Sequence, residues 1–215
     1  MTAGQITLKL FEGFGTSVAI FFATLVISLP LGLIFTFLQR SKVKPIKYVM
    51  ETLIWIVRGT PLMLQIMIIF FAPGLLFGIR VRDYEIPAVL IAFSINYACY
   101  FAVIFKGGIN SVAKGQYEAC QVLGMTKKQT FTRVVAPQVY KNILAPMSNE
   151  IITLVKDTSL ANVISVTELI LTAKIIMNQE VNIIPLFSTG LFYLVFVGIL
   201  TLLFNFLEKK TQRYR

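Results

Sequence analysis

Residues 115–138, GQYEACQVLGMTKKQTFTRVVAPQ, form the longest polar interval between two long apolar runs of this chain. Tyr117, Cys120 and the Leu123–Gly124 pair recur three to four residues apart, so they share one face of a helix. The small side chains of Ala119 and Cys120 let another surface approach closely. Gly124 tolerates the left-handed backbone that ends a helix, so it is the expected stop. Glu118 makes the first turn acidic, Lys127, Lys128 and Arg133 make the tail basic, and Pro137 closes the interval. The expected element is a short helix with a smooth face, set between membrane segments.

Working outward, composition sets the class. The chain has 215 residues, of which 56% are hydrophobic and 14% charged, and its mean hydropathy is +0.76. Soluble domains carry roughly 25% charged residues, and several runs here approach the ~20 apolar residues that cross a bilayer. The formal net charge of +10 does not indicate nucleic acid. The Lys and Arg residues sit in short loops between apolar runs, which is the positive-inside pattern. Cys99 and Cys120 read as small packing residues rather than a disulfide. No cleavable signal peptide is expected from the polar opening MTAGQITLKLFEG.

The segments follow in order. Residues 2–13 are polar and suit a short interfacial helix. The first span is expected over 14–38, and Arg40, Lys42, Lys44 and Lys47 after it mark the cytoplasm, so the N-terminus is expected outside. Residues 48–57 read as a short surface helix in which Glu51 and Arg58, two turns apart, support each other. Arg58, Gly59, Thr60 and Pro61 make a structural break, with Thr60 as cap and Pro61 in the first turn of the next helix. The second span is expected over 62–78, with Pro73-Gly74 bending or ending it. Arg80, Arg82, Asp83 and Glu85 form an outer loop. The third span, 87–105, carries Ser94, Asn96 and Tyr97 as interhelical polar groups.

A fourth span, 138–155, carries Pro146, and the polar series Ser148, Asn149, Glu150, Thr153 continues into Lys156-Asp157-Thr158-Ser159-Leu160. Glu150, Thr153 and Asp157 line one helical face. Carboxylates at bilayer depth are costly and face a cavity with a function. Seven residues at ~1.5 Å each separate Glu150 and Asp157 by about 10 Å, close to the length of an extended Lys or Arg side chain with its α-amino group. Two readings stand: a substrate site, or internal ion pairs with Lys156, Lys174 or a basic loop group. Ser165 to Glu168 has the spacing of a capping box opening a short outer helix through Ile176. The last span is expected over 183–207, with Glu208, Lys209, Lys210, Arg213 and Arg215 inside.

Glu118-Ala119-Cys120, three residues, Gly124, nine more, and apolar positions ahead of Pro137 resemble the "EAA loop" of permease subunits in bacterial ATP-binding-cassette (ABC) importers. Cys120 stands for the second Ala and Ala136 for a common Leu, both close substitutions. Arg58-Gly59-Thr60-Pro61-Leu62 with Gln65, and residues 156–160, resemble the polar-amino-acid branch of that family. That family often has Glu three residues before a basic residue ahead of the loop, where this chain has Val103 and Lys106.

The resemblance implies a single all-α membrane domain, 1–215, of about five spans, with the C-terminus cytoplasmic and a coupling loop over 107–137. Its coupling helix would seat Glu118, Ala119, Cys120, Gly124 and Met125 against an ATPase. Its substrate pathway would draw on Glu150, Asp157, Lys156, Thr158, Ser159, Leu160, Leu64 and Gln65. The implied partners are a second permease (homodimer or heterodimer), two ATPase subunits that use ATP–Mg, an external substrate-binding protein, membrane lipid and an amino acid. The implied localisation is the bacterial cell membrane.

The chain itself has no His, no metal-binding cluster and no phosphate-cradling Gly-Lys-Ser/Thr loop, so it is expected to bind no cofactor and to hydrolyse no ATP. The carboxylate pair favours a cationic amino acid (arginine, lysine or histidine), with glutamine, glutamate or cystine as alternatives. An ion-coupled carrier is a rival of another class, disfavoured because no internal repeat is visible. A paired-acid hydrolase is disfavoured by the wide carboxylate spacing.

Overall fold

The computed structural model describes residues 2–79 and 82–212. Arg80 of the expected outer loop, and Arg213 and Arg215 of the expected basic tail, lie outside the described residues. The chain runs through α1 (Ala3–Gln39), α2 (Lys44–Gly59), α3 (Leu62–Phe77), α4 (Glu85–Asn110) and α5 (Lys114–Val122). A single turn, α6 (Lys127–Gln129), leads through a π-helical turn (Thr130–Val135) into α7 (Ala136–Asp157). A 3₁₀ turn (Thr158–Ile164) then precedes α8 (Leu169–Glu180) and α9 (Ile184–Gln212). Among the described residues, α1, α4 and α9 are long and apolar enough to cross a membrane, and two bent pairs bring the number of spans to as many as five. The bends are 106° between α2 and α3, and 56° between residues 127–164 and α8.

The expected break between an interfacial segment and a first span is absent. Thr2 caps α1 through a reciprocal bond pair with Gln5, and the helix then continues for 37 residues. Leu10 and Gly13 are buried, and a side chain at Gly13 would run into Thr172 of α8. Packing thus extends a helix that polarity alone would have ended. Pro30 is carried inside it.

The core lies around α4, whose Phe93, Tyr97 and Phe101 are fully buried with Phe21, Ile66, Leu154 and Val155 from the surrounding helices. α1 lies closely on α4: a Cβ at Gly32 would stand 2.9 Å from Phe101 Cβ and 3.0 Å from Ala98 O. A few residues further on, Thr36 Oγ1 donates to Ala102 O across the same contact, at 3.2 Å. Small residues and interhelical hydroxyl bonds are what hold helices together where apolar burial gives no preference between protein and lipid.

The end of the bundle where α1 and α4 finish gathers many of the basic residues. There Arg40 donates to Asn110 Oδ1 (2.7 Å), Lys106 pairs with Glu51 (3.1 Å), and Asn142 donates to Ser111 Oγ (2.7 Å).

Several local expectations need correction. Glu51 and Arg58 do not support each other: Glu51 takes Lys106, and Arg58 lies over the Tyr100 ring, 5.0 Å from its centroid. Two turns of helix are too long for direct contact, whereas α4 offers nearer partners. Thr60 does not cap α3. Its hydroxyl donates back to Ile56 O (3.0 Å) and so finishes α2, while Pro61 begins α3 with no side-chain cap. The second span passes Pro73-Gly74 and ends at Gly78, whose φ of 68° suits glycine. Ser165 does not open a capping box: Glu168 is itself the cap of α8, accepting from Ile170 N and Leu171 N at 2.8 Å each.

Candidate functional site

Two regions carry the polar chemistry. The first is a cluster of charged and aromatic groups on facing surfaces of α2, α4 and α7. Periodicity places Glu150, Thr153 and Asp157 on one side of α7. Thr153 turns its hydroxyl back to Asn149 O, 2.9 Å away, which leaves the two carboxylates as the reactive groups of that face. Tyr97 OH, on a fully buried ring of α4, donates to Asp157 Oδ2 at 2.7 Å. One turn later, Tyr100 carries the Arg58 guanidinium on its face. The charges of Asp157 and Arg58 both act on Glu150, and that of Lys156 acts on Asp157. Two carboxylates, one guanidinium and two tyrosines therefore converge from three helices.

The other residues of the expected pathway fall into distinct places. Thr158 is buried and donates to Val155 O (2.7 Å), and Ser159 Oγ donates to Lys156 O (2.7 Å). These two hydroxyls satisfy carbonyls where α7 tightens into the 3₁₀ turn. Leu160 packs against the main core, and Leu64 is exposed. Gln65 is committed to the α2–α3 break. Its Nε2 donates to Val57 O (2.7 Å), Thr60 O (3.2 Å) and Thr60 Oγ1 (2.8 Å), and its Oε1 accepts from Asn96 (3.0 Å). Sequence reasoning named Tyr97 as an interhelical polar group, which its bond to Asp157 bears out, but missed Tyr100 and read Arg58 as part of a break and a partner of Glu51. The signal available was the three-residue spacing of the two tyrosines on one apolar helix.

The second region is α5. Its end has a full glycine cap: Met125 N donates to Cys120 O and Gly124 N to Gln121 O, both at 3.0 Å, with Gly124 at φ 66°. The expected stop is therefore the observed one. The face is not. Cys120 turns inward and is buried, while Glu118, Ala119, Val122 (88% exposed) and Leu123 (76% exposed) face outward. Tyr117, Gln121 and Met125 border a cavity of about 470 Å³ against Thr130 and Phe131. A short helix presenting bare apolar side chains outside the membrane-spanning helices is a surface made to be covered.

A bundle of apolar spans with a capped, exposed helix between α4 and α7 defines a membrane subunit that works against another protein. Residues 28–213 match the family described as "Binding-protein-dependent transport system inner membrane component", and the chain belongs to that family of multi-pass membrane permeases.

Among its relatives, the L-cystine transport system permease protein TcyB of Bacillus subtilis is 36% identical over 86% of this chain and 78% of its own. The arginine transport system permease protein ArtQ of Bacillus subtilis is 32% identical over 94% of this chain and 91% of its own. The chain also superposes on a crystal structure described as an amino acid ABC transporter with histidines, with a TM-score of 0.87, 30% identity and coverage of 98% of this chain and 100% of that one. A chain of the MetNI methionine ABC transporter in an inward-facing form, 14% identical over 98% of this chain and 99% of that one with a TM-score of 0.74, shares the fold.

Proposed function

We propose that this chain forms the translocation pathway of an ABC importer for an amino acid, preferentially a cationic one. Two copies, or this chain and a similar one, make the pore. The basic end faces the cytoplasm under the positive-inside rule, where each of two ATPase subunits seats one α5 in a surface groove. ATP binding draws the ATPases together, and the two α5 helices carry the spans with them as rigid bodies. An external binding protein delivers substrate when the site opens outward.

The observation that carries the cationic reading is the Glu150–Asp157 face with Arg58 in electrostatic reach. Glu150 and Asp157 offer two anionic partners and Arg58 one cationic partner, matching the two cations and one carboxylate of a cationic amino acid. The guanidinium suits the α-carboxylate, since Arg binds carboxylates in a planar fork. The two acids suit the α-ammonium and the side-chain cation. Tyr97 holds Asp157 in position. Glutamate, with two carboxylates and one ammonium, reverses that match and is disfavoured. Glutamine and cystine, neutral overall, remain the readings to exclude.

The test is ATP hydrolysis by the reconstituted complex with its binding protein, stimulated by each amino acid in turn, together with uptake by Glu150→Gln and Asp157→Asn variants. Stimulation by arginine, lysine or histidine, and its loss in either variant, is expected. Retained basic amino acid uptake in both variants overturns the charge-pair assignment.

A further inference from the structure

Among the cavities that the transport reading leaves unused, one gathers cations. It lies at the basic end, between the π-helical turn and first residues of α7 on one side and the last turns of α9 on the other, and encloses about 870 Å³. Arg133, Lys141 and Lys210 bring three cations to it, and no carboxylate lines it. None of the three has an ion pair, a hydrogen bond or a ring contact among the described residues. Val134 and Leu207 supply an apolar wall, and Tyr140 lines the cavity beside Lys141. The wall begins in a π-helical turn, Thr130–Val135, an irregularity that proteins retain mostly at functional sites.

We infer that this cavity binds the headgroup and upper acyl chain of an anionic phospholipid of the cytoplasmic leaflet. The depth is right: α9 leaves its apolar run at Leu207, and α7 enters its own just after Lys141. The chemistry is also right. A phosphate with no compensating ammonium satisfies three unpaired cations at once, and the Arg133 fork suits its oxygens. A zwitterionic headgroup would bring a fourth cation into the same space. Free phosphate would use the rim and leave the apolar wall wet. Basic pockets between spans on the cytoplasmic side are the general form of headgroup sites.

Occupancy reaches the coupling segment. Gln138, which also lines the cavity, donates to Gln116 Oε1 of α5 at 3.2 Å. A lipid seated here therefore braces the loop that carries α5, and the complex gains a dependence on membrane composition.

The test uses the whole importer complex in nanodiscs containing equal phosphatidylglycerol and phosphatidylcholine, with the retained lipid read by native mass spectrometry after mild delipidation. Wild-type complex is expected to retain phosphatidylglycerol in excess, with retention falling as salt rises. Each of Arg133→Gln, Lys141→Gln and Lys210→Gln is expected to weaken retention by about fivefold. Neutralising instead the cations that follow α1, with Lys42→Gln, Lys44→Gln and Lys47→Gln, is expected to leave it unchanged.

Equal retention of the two lipids, or equal loss in both sets of variants, overturns the inference. So does protection of the complex by inorganic phosphate as strong as that by phosphatidylglycerol. Loss of ATPase subunits from the cavity variants with lipid retention intact also overturns it, and assigns the cations to the ATPase surface. Lipid retention is read without transport, so its failure is distinct from failure of the amino acid assignment.

Discussion

The two bends of the bundle solve one problem with opposite chemistry. At the α2–α3 break, α2 ends and leaves half-buried carbonyls without donors, so the group recruited is a donor: the Gln65 amide reaches Val57 O and Thr60 O. At the break before α8, a helix begins and leaves N–H groups without acceptors, so the group recruited is an acceptor: the fully buried Glu168 takes Ile170 N and Leu171 N. Helix termini expose carbonyls at one end and amides at the other, and where no water reaches them the protein must supply the complement. The sign of the helix end thus selects the side chain, amide at one bend and carboxyl at the other.

The largest expected effect comes from removing the acceptor. Glu168→Ala strands two half-buried N–H groups at a cost of about 1–3 kcal/mol each, so a steep drop in yield and in thermal midpoint of the purified complex is expected. Glu168→Gln keeps an acceptor oxygen and is expected to lose markedly less, and equal losses would break the acceptor argument. Gln65→Leu comes next, at about 1–3 kcal/mol, because Thr60 still donates to Val57 O, at 3.4 Å. Gln65→Glu sharpens the contrast: it sets an acceptor against carbonyls and is expected to unfold at a lower temperature than Gln65→Leu.

A smaller effect is expected from Tyr97→Phe, which removes the bond to Asp157 and leaves the fold intact. A several-fold rise in the KM for uptake, with expression unchanged, is the expected readout. Smallest is Gly124→Ala, where a Cβ meets open space but φ is 66°. It is expected to cost about 1 kcal/mol locally, read as weaker stimulation of ATP hydrolysis rather than as lower yield.

These regions differ in how far the sequence discloses them. The loop that carries α5 was legible because its residues act locally: Gly124 ends α5 by its own backbone freedom, and the Lys and Arg residues flank apolar runs whatever their packing. The spans were legible from apolar length, apart from the start of α1, where burial of Leu10 and Gly13 against other helices overrode local polarity. The bends were legible as places and not as mechanisms. Glu168 was visible in a capping pattern, yet its position within the cap depends on where the 3₁₀ turn stops. Arg58 and Asp157 were each visible, but their partners Tyr100 and Tyr97 are brought by α4, many residues away. The inward turn of Cys120 depends on neighbours that periodicity within α5 does not name.

α1 has a further consequence. Its 37 residues at ~1.5 Å per residue give about 55 Å, against a hydrocarbon layer of ~30 Å. Part of the surplus belongs to its first three turns, which α8 and α9 clasp, with Phe11 edge-on to Phe192 at 4.9 Å. The membrane-spanning helix and its seat against α8 and α9 are thus one continuous mast, and a push on that seat is felt as torque along its whole length.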